Sequence, residues 1–234
     1  MVATGDAVDD GKGGTLKSRE FVQQLVDEME ELFAKLGDRE TLESEAEGQV
    51  EVMNLLRVAM RSEIEASEVA GHWMPITPEI DIKTAFAQQC GDEMRHYNLI
   101  AQRLAELGAD LSDHDPTREA FSPYYHYLRS LSTSLERVAA GPFTMEAVAE
   151  VRNLQFIELC QSLGDDDTAR LYIDIIQPEE VHHKELGQKL LEKYAVTESD
   201  QELVSAAMRN SLAIADELRT LTERTTGLRP ILVS

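Results

Sequence analysis

Two short runs carry the residue types from which metal centres are built. Asp92-Glu93-Met94-Arg95-His96 and Glu179-Glu180-Val181-His182-His183 each place a histidine three residues after a glutamate, inside stretches of helical character. Residues i and i+3 share a helix face, so carboxylate and imidazole point the same way in each run. A hard dinuclear site inside a helical bundle needs about four carboxylates and two imidazoles. The carboxylates bridge and neutralise the ions, and the imidazoles take end positions. The two runs supply Glu93, His96, Glu180 and His183. Each partner helix must then add one glutamate at the same height.

Spacing selects those two glutamates. The second run lies 87 residues after the first, and the same offset carries Glu63, thirty residues before Glu93, onto Glu150, thirty before Glu180. Glu63 shares its helix face with Leu56, Ala59 and Ala70. Glu150 falls in the stripe Phe143, Ala147, Leu154, Ile157. Residues 150 and 180 each stand thirteen positions from the turn expected between their helices, near 20 Å at ~1.5 Å per residue. The expected metal-ligating and catalytic set is therefore Glu63, Glu93, His96, Glu150, Glu180 and His183.

Three alternatives stay open. Glu65 could replace Glu63, but it points about 160° away and lies further from the apolar stripe. Glu158 has apolar neighbours but sits nearer its helix end, one to two turns from Glu180 in height. Glu179 and His182 form an overlapping pair; Glu180 and His183 are preferred because both runs then align as acid-Glu-x-x-His. A single glutamate on an apolar face commonly reaches water at the rim, and a single histidine commonly packs. Six residues tied by one offset outweigh those ordinary readings. Cys90, Tyr97, Phe86 and Tyr172 lie near enough to line a pocket, with core packing as their ordinary role.

The elements that must position these residues read as helices throughout, and the expected fold class is all-α. Residues 1–15 read as a polar, disordered tail. Apolar residues spaced by three and four mark helices at 18–36, 41–73, 78–107, 124–140, 144–163, 167–194 and 199–224. Gly108 and Gly164 read as stops, Met74-Pro75-Ile76 as a break, Gly141-Pro142 as another, and Thr77, Thr144 and the run Asp165-Asp166-Asp167 as caps. Two hairpins, 41–73 with 78–107 and 143–163 with 167–194, joined by a long crossover, make a four-helix bundle. The helices at 18–36 and 199–224 pack outside it, and 16–234 forms one domain.

Forty-four acidic against twenty-two basic residues give a formal charge of −22, a field that repels phosphate backbones and argues against nucleic-acid binding. No apolar stretch approaches the ~20 residues of a membrane span, and the N-terminus lacks signal-peptide character. Two cysteines make no disulfide framework. A cytoplasmic protein is the expectation.

Paired Glu-x-x-His motifs, each preceded by a helix bearing one glutamate, resemble the ferritin-like di-iron carboxylate superfamily over residues 41–194. Within that span, Glu63-Ile64-Glu65-Ala66 followed by Pro78, and Glu180-x-x-His183 followed by Gly187-Gln188, are similar to the small cyanobacterial aldehyde-deformylating oxygenases. The resemblance implies two iron ions, with manganese or a mixed pair open. It also implies O2 activation on a small organic substrate, an external electron donor, and an oligomeric state for which a homodimer is one option. Ferroxidase, iron-storage and peroxide-scavenging proteins share the motif pair and form the alternative.

Overall fold

A computed structural model describes residues 17–37, 48–116 and 120–226, and every regular element among them is helical. The tail expected at 1–15 and the first residues of the helix expected at 41–73 lie outside the described residues. In chain order the elements are α1 (Ser18–Gly37), α2 (Gly48–Ile76), α3 (Ile80–Glu106), α4 (Pro123–Ser130) and α5 (Ser134–Val138). A π-helical turn, Ala139–Met145, runs into α6 (Glu146–Ser162). Then come α7 (Asp166–Leu171), a second π-helical turn (Tyr172–Ile176), α8 (Gln177–Tyr194) and α9 (Glu198–Thr226).

Glycine ends α3 and α6, as the sequence predicts. Gly108 (φ 90°) and Gly164 (φ 74°) adopt the left-handed conformation. Ala109 N–H reaches back to Leu104 and Asp165 N–H to Cys160, satisfying carbonyls that a helix end leaves unpaired. Asp165 caps the next helix by accepting from Thr168 N–H.

Three boundaries differ from expectation. α2 continues through Pro75 to Ile76. Thr77 does not cap α3; its hydroxyl donates to the Trp73 carbonyl in the last turn of α2 at 2.9 Å. The helix expected over 124–140 breaks at residues 131–133, where Thr133 caps α5. Gly141-Pro142 is no break at all. Pro142 offers no N–H to an α-helical ladder, and the chain answers with a wider turn in which Thr144 Oγ1 donates to the Ala139 carbonyl at 2.6 Å.

Contacts across the molecule set the topology. Asp92 meets His183 while His96 meets Glu179, so α3 and α8 run antiparallel. Ser134 Oγ bonds Glu79 at one end of α3, and Arg103 bonds Asp165 and Thr168 at the other. α6 therefore runs parallel to α3, and a connection between parallel helices must traverse their length. It does so along α2: Ser122 bonds Glu65, Tyr125 bonds Glu68, and Trp73 Nε1 donates to the Leu128 carbonyl.

Two apolar clusters fill the interior. One joins Trp73, Phe86, Phe143 and Leu191 with Phe21, Val22, Leu25 and Met29 of α1 and Val204 and Met208 of α9. The other gathers Leu56, Met60, Ile100, Leu104, Phe156, Tyr172 and Ile176. On α2 and α3 a polar layer lies between residues of the two clusters, Glu63 between Met60 and Val69 and Glu93 with His96 between Phe86 and Ile100, and that layer is the candidate site. No helix among the described residues is long and apolar enough to cross a membrane.

Candidate metal centre

Four helices each place one carboxylate in the polar layer: Glu63 from α2, Glu93 from α3, Glu146 from α6 and Glu180 from α8. His96 and His183 complete it. All six are buried, with His96 at 0% and Glu93 at 1% exposure. Their ligand atoms form two overlapping groups, Glu63–Glu93–His96–Glu180 and Glu93–Glu146–Glu180–His183, each within 4.8 Å. Glu93 and Glu180 belong to both. The arrangement thus offers two adjacent cation positions, with two shared carboxylates, one private carboxylate each and one imidazole each.

The imidazoles are held crosswise. Nδ1 of His96 faces the cluster, 3.2 Å from Glu93 and 3.5 Å from Glu63, while its Nε2 meets Glu179 at 2.8 Å. Nδ1 of His183 lies 3.3 Å from Glu93, and its Nε2 meets Asp92 at 3.1 Å. The acid that precedes each glutamate therefore grips the histidine of the opposite helix. It fixes the ring and leaves Nδ1 aimed inward, as outer carboxylates do for ligating histidines. Arg95 ties the two gripping acids together through Asp92 and Glu179.

Five of the six expected residues meet in this cluster; Glu150 does not. It is half-buried and paired with Lys184. The shared offset presumes hairpins of equal length, but thirty residues separate Glu63 from Glu93 and thirty-four separate Glu146 from Glu180. Four residues are about one helical turn. The second hairpin contains the turn Tyr172–Ile176, and Gln177 Nε2 bonds the Glu150 carbonyl, setting residue 150 below the level of Glu180. Glu146, one turn further, takes the place. Its signal was context: from Pro142 to Ala149 the only other polar residue is Thr144. Sequence reasoning also missed Gln89, buried one turn before Glu93, whose amide donates to Glu146.

The alternatives resolve differently. Glu65 is held by Arg61 and Ser122, and Glu158 and His182 are exposed. Phe86 packs on Trp73, Tyr97 stacks on His114, and Cys90 lies beside Ser67.

Electrostatics describe a cluster in need of cations. Burial, reinforced by neighbouring carboxylates, pushes Glu63 and Glu146 well above the usual carboxylate range. Burial acts on Glu93 as well, but the imidazoles of His183 and His96 outweigh it and hold its carboxyl far below that range. Burial opposes the charged imidazoles too; the surrounding glutamates nonetheless raise His183 to about 10 and His96 to about 12. Protons on these groups hold the charge that metal ions would otherwise bring.

Orphaned atoms test the fit. Among the described residues, Glu93 Oε1, Glu180 Oε2 and His183 Nδ1 are buried without a hydrogen bond of good geometry, the nitrogen standing 3.3 Å from the first oxygen and 3.7 Å from the second. All three belong to the cluster, and coordination would satisfy them together. Carboxylate oxygens with imidazole nitrogen suit iron or manganese.

Comparison with family models, curated proteins and solved structures gave no match. The geometry alone carries the reading.

A cavity of about 120 Å³ opens beside the carboxylates. Glu63, Glu93, Glu146 and Glu180 line it; the two histidines do not. Its remaining wall includes Ala66, Val69, Val148, Tyr124, Tyr125 and Leu128, so the crossover covers it.

Proposed function

We propose that this chain is a ferritin-like, non-haem dinuclear oxidoreductase, holding two iron ions (or manganese, or one of each) and using O2 on a small organic substrate. The observation that carries the reading is the pair of overlapping ligand groups sharing Glu93 and Glu180. Helix order supports it as well: two antiparallel hairpins joined by a lengthwise crossover match the ferritin-like connection.

Glu63, Glu93, His96 and Glu180 would hold one ion, and Glu93, Glu146, Glu180 and His183 the other. A pair of such ions would supply redox equivalents and O2 activation at one point in the buried cluster. Asp92 and Glu179 keep the imidazole rings oriented and their Nε2 protons in place. Gln89 holds one oxygen of Glu146. The cavity leaves room for a substrate on the carboxylate side, away from the histidines, between apolar residues such as Ala66, Val69 and Val148. This room favours substrate oxidation over iron storage, which needs no organic pocket.

Metal analysis after iron-supplemented expression tests the reading. About two ions per chain is the expected result, and fewer than one would sink it. Size separates the enzyme from the storage alternative: a small oligomer is expected in gel filtration, and a 24-subunit particle would favour storage.

A further inference from the structure

The cavity beside the carboxylates continues into a second, smaller one. The two share Val58, Ala59, Arg152 and Asn153, and the smaller adds Leu55, Phe156 and Tyr172. Tyr172 is 2% exposed, and its buried hydroxyl has no hydrogen-bond partner among the described residues. The far end of the cavity system therefore gathers a phenol, a guanidinium and an amide. All three are hydrogen-bond donors.

Size and distance define what fits. The larger cavity approaches the ~150 Å³ that accepts a benzene ring. The smaller has about 30 Å³, room for a polar head. Ala59, at the junction, stands four residues before Glu63, about 6 Å along the helix. A molecule anchored at the junction thus spans to the carboxylate cluster with a single ring.

We infer that the site takes a compact, single-ring carboxylate, its anionic head at Tyr172, Arg152 and Asn153 and its apolar edge toward Glu63 and Glu146. A carboxylate oxygen answers the unpartnered Tyr172 hydroxyl, N–H groups of Arg152 and Asn153 stand on the same lining, and hydrogen bonds to an ionised group are the stronger kind. The inference rests on the dinuclear reading. Glu63, Glu93, Glu146 and Glu180 line the same cavity, so an anionic head belongs at its far end, and metal loading, by compensating the ionised glutamates, favours its entry.

The test uses Mn(II)-loaded protein with benzoate, benzamide and benzyl alcohol as probes, followed by calorimetry and by paramagnetic relaxation of the probe's ring protons. Benzoate should bind most tightly, and its para proton, nearest the metals, should relax fastest. Tyr172→Phe, which removes one oxygen, should weaken benzoate on the order of tenfold with metal content unchanged. Arg152→Gln should weaken it further.

Faster relaxation of the ortho protons would place the carboxylate on the metals and overturn the inference. Equal affinity for benzamide, or indifference to Tyr172→Phe, would overturn it too. Failure of benzoate to bind a chain that holds two ions would sink the inference and leave the dinuclear reading standing. Failure to hold metal would end both.

Discussion

Gly187 offers a test of how packing sets the site. A methyl group added there would lie 2.7 Å from the Phe143 backbone nitrogen and 2.8 Å from the Pro142 carbonyl carbon. These atoms belong to the π-helical turn that leads into Glu146. Backbone cannot swing aside as a flexible side chain can, so overpacking belongs at the upper end of the usual range, about 3 kcal/mol. Alanine's better helix propensity returns about 1 kcal/mol. Gly187→Ala should therefore destabilise by about 2 kcal/mol, lowering Tm by roughly 4–8 °C for a chain of this size. Gly91→Ala is the control: it sits in α3, exposed, with nothing within 4 Å of the added carbon. It should raise Tm by a few degrees. Thermal melts by circular dichroism of chelator-treated protein measure packing free of metal effects. A Gly187→Ala protein as stable as Gly91→Ala would refute the reasoning.

Other predictions concern the cluster. Asp92→Asn and Glu179→Gln, each loosening the grip on the opposite histidine, should weaken metal binding about 10–100-fold; competition with a chelator measures this, and unchanged affinity in both would contradict the crosswise pairing. The pH dependence of the metal-free protein follows from the raised values. Glu63 and Glu146 lie above their ordinary 4.5, and His183 and His96 lie above 6.5, near 10 and 12. Their stabilising protonation is complete below the ordinary values and is lost as pH rises toward the folded ones. Glu93, held low, acts oppositely and loses its contribution only as pH falls below 4.5. Between about pH 6 and pH 9 the metal-free Tm should fall while metal affinity rises; a rising metal-free Tm in that window would contradict the assignment.

Much of this was legible because the signals are local. Glu93 with His96 and Glu180 with His183 declare themselves by i, i+3 spacing. Gly108 and Gly164 declare helix ends because a left-handed residue is needed there. Glu63 was selected by the same offset that misplaced its partner at Glu150, with the apolar face it interrupts as added support. The α-helical hairpins followed from periodicity alone.

What stayed hidden is tertiary. Gly141-Pro142 reads as a stop in any local scheme. The chain stays helical through it because the turn packs Gly141 against the Trp73 ring and lets Gly187 of α8 meet its backbone. That continuity, with the second π-helical turn, breaks the equality between hairpins on which Glu150 depended. The partners of Asp92 and Glu179 lie on the opposite helix, more than eighty residues away. Spacing within one helix cannot reveal them.

The central claim is a dinuclear centre held by Glu63, Glu93, His96, Glu146, Glu180 and His183. A crystal structure of iron-loaded protein with anomalous diffraction at the iron edge tests it most directly. Two anomalous peaks are predicted between the four helices, bridged by Glu93 and Glu180, with Glu146 bound and Glu150 still on Lys184. A single peak elsewhere, or Glu150 at the metal in place of Glu146, would contradict it.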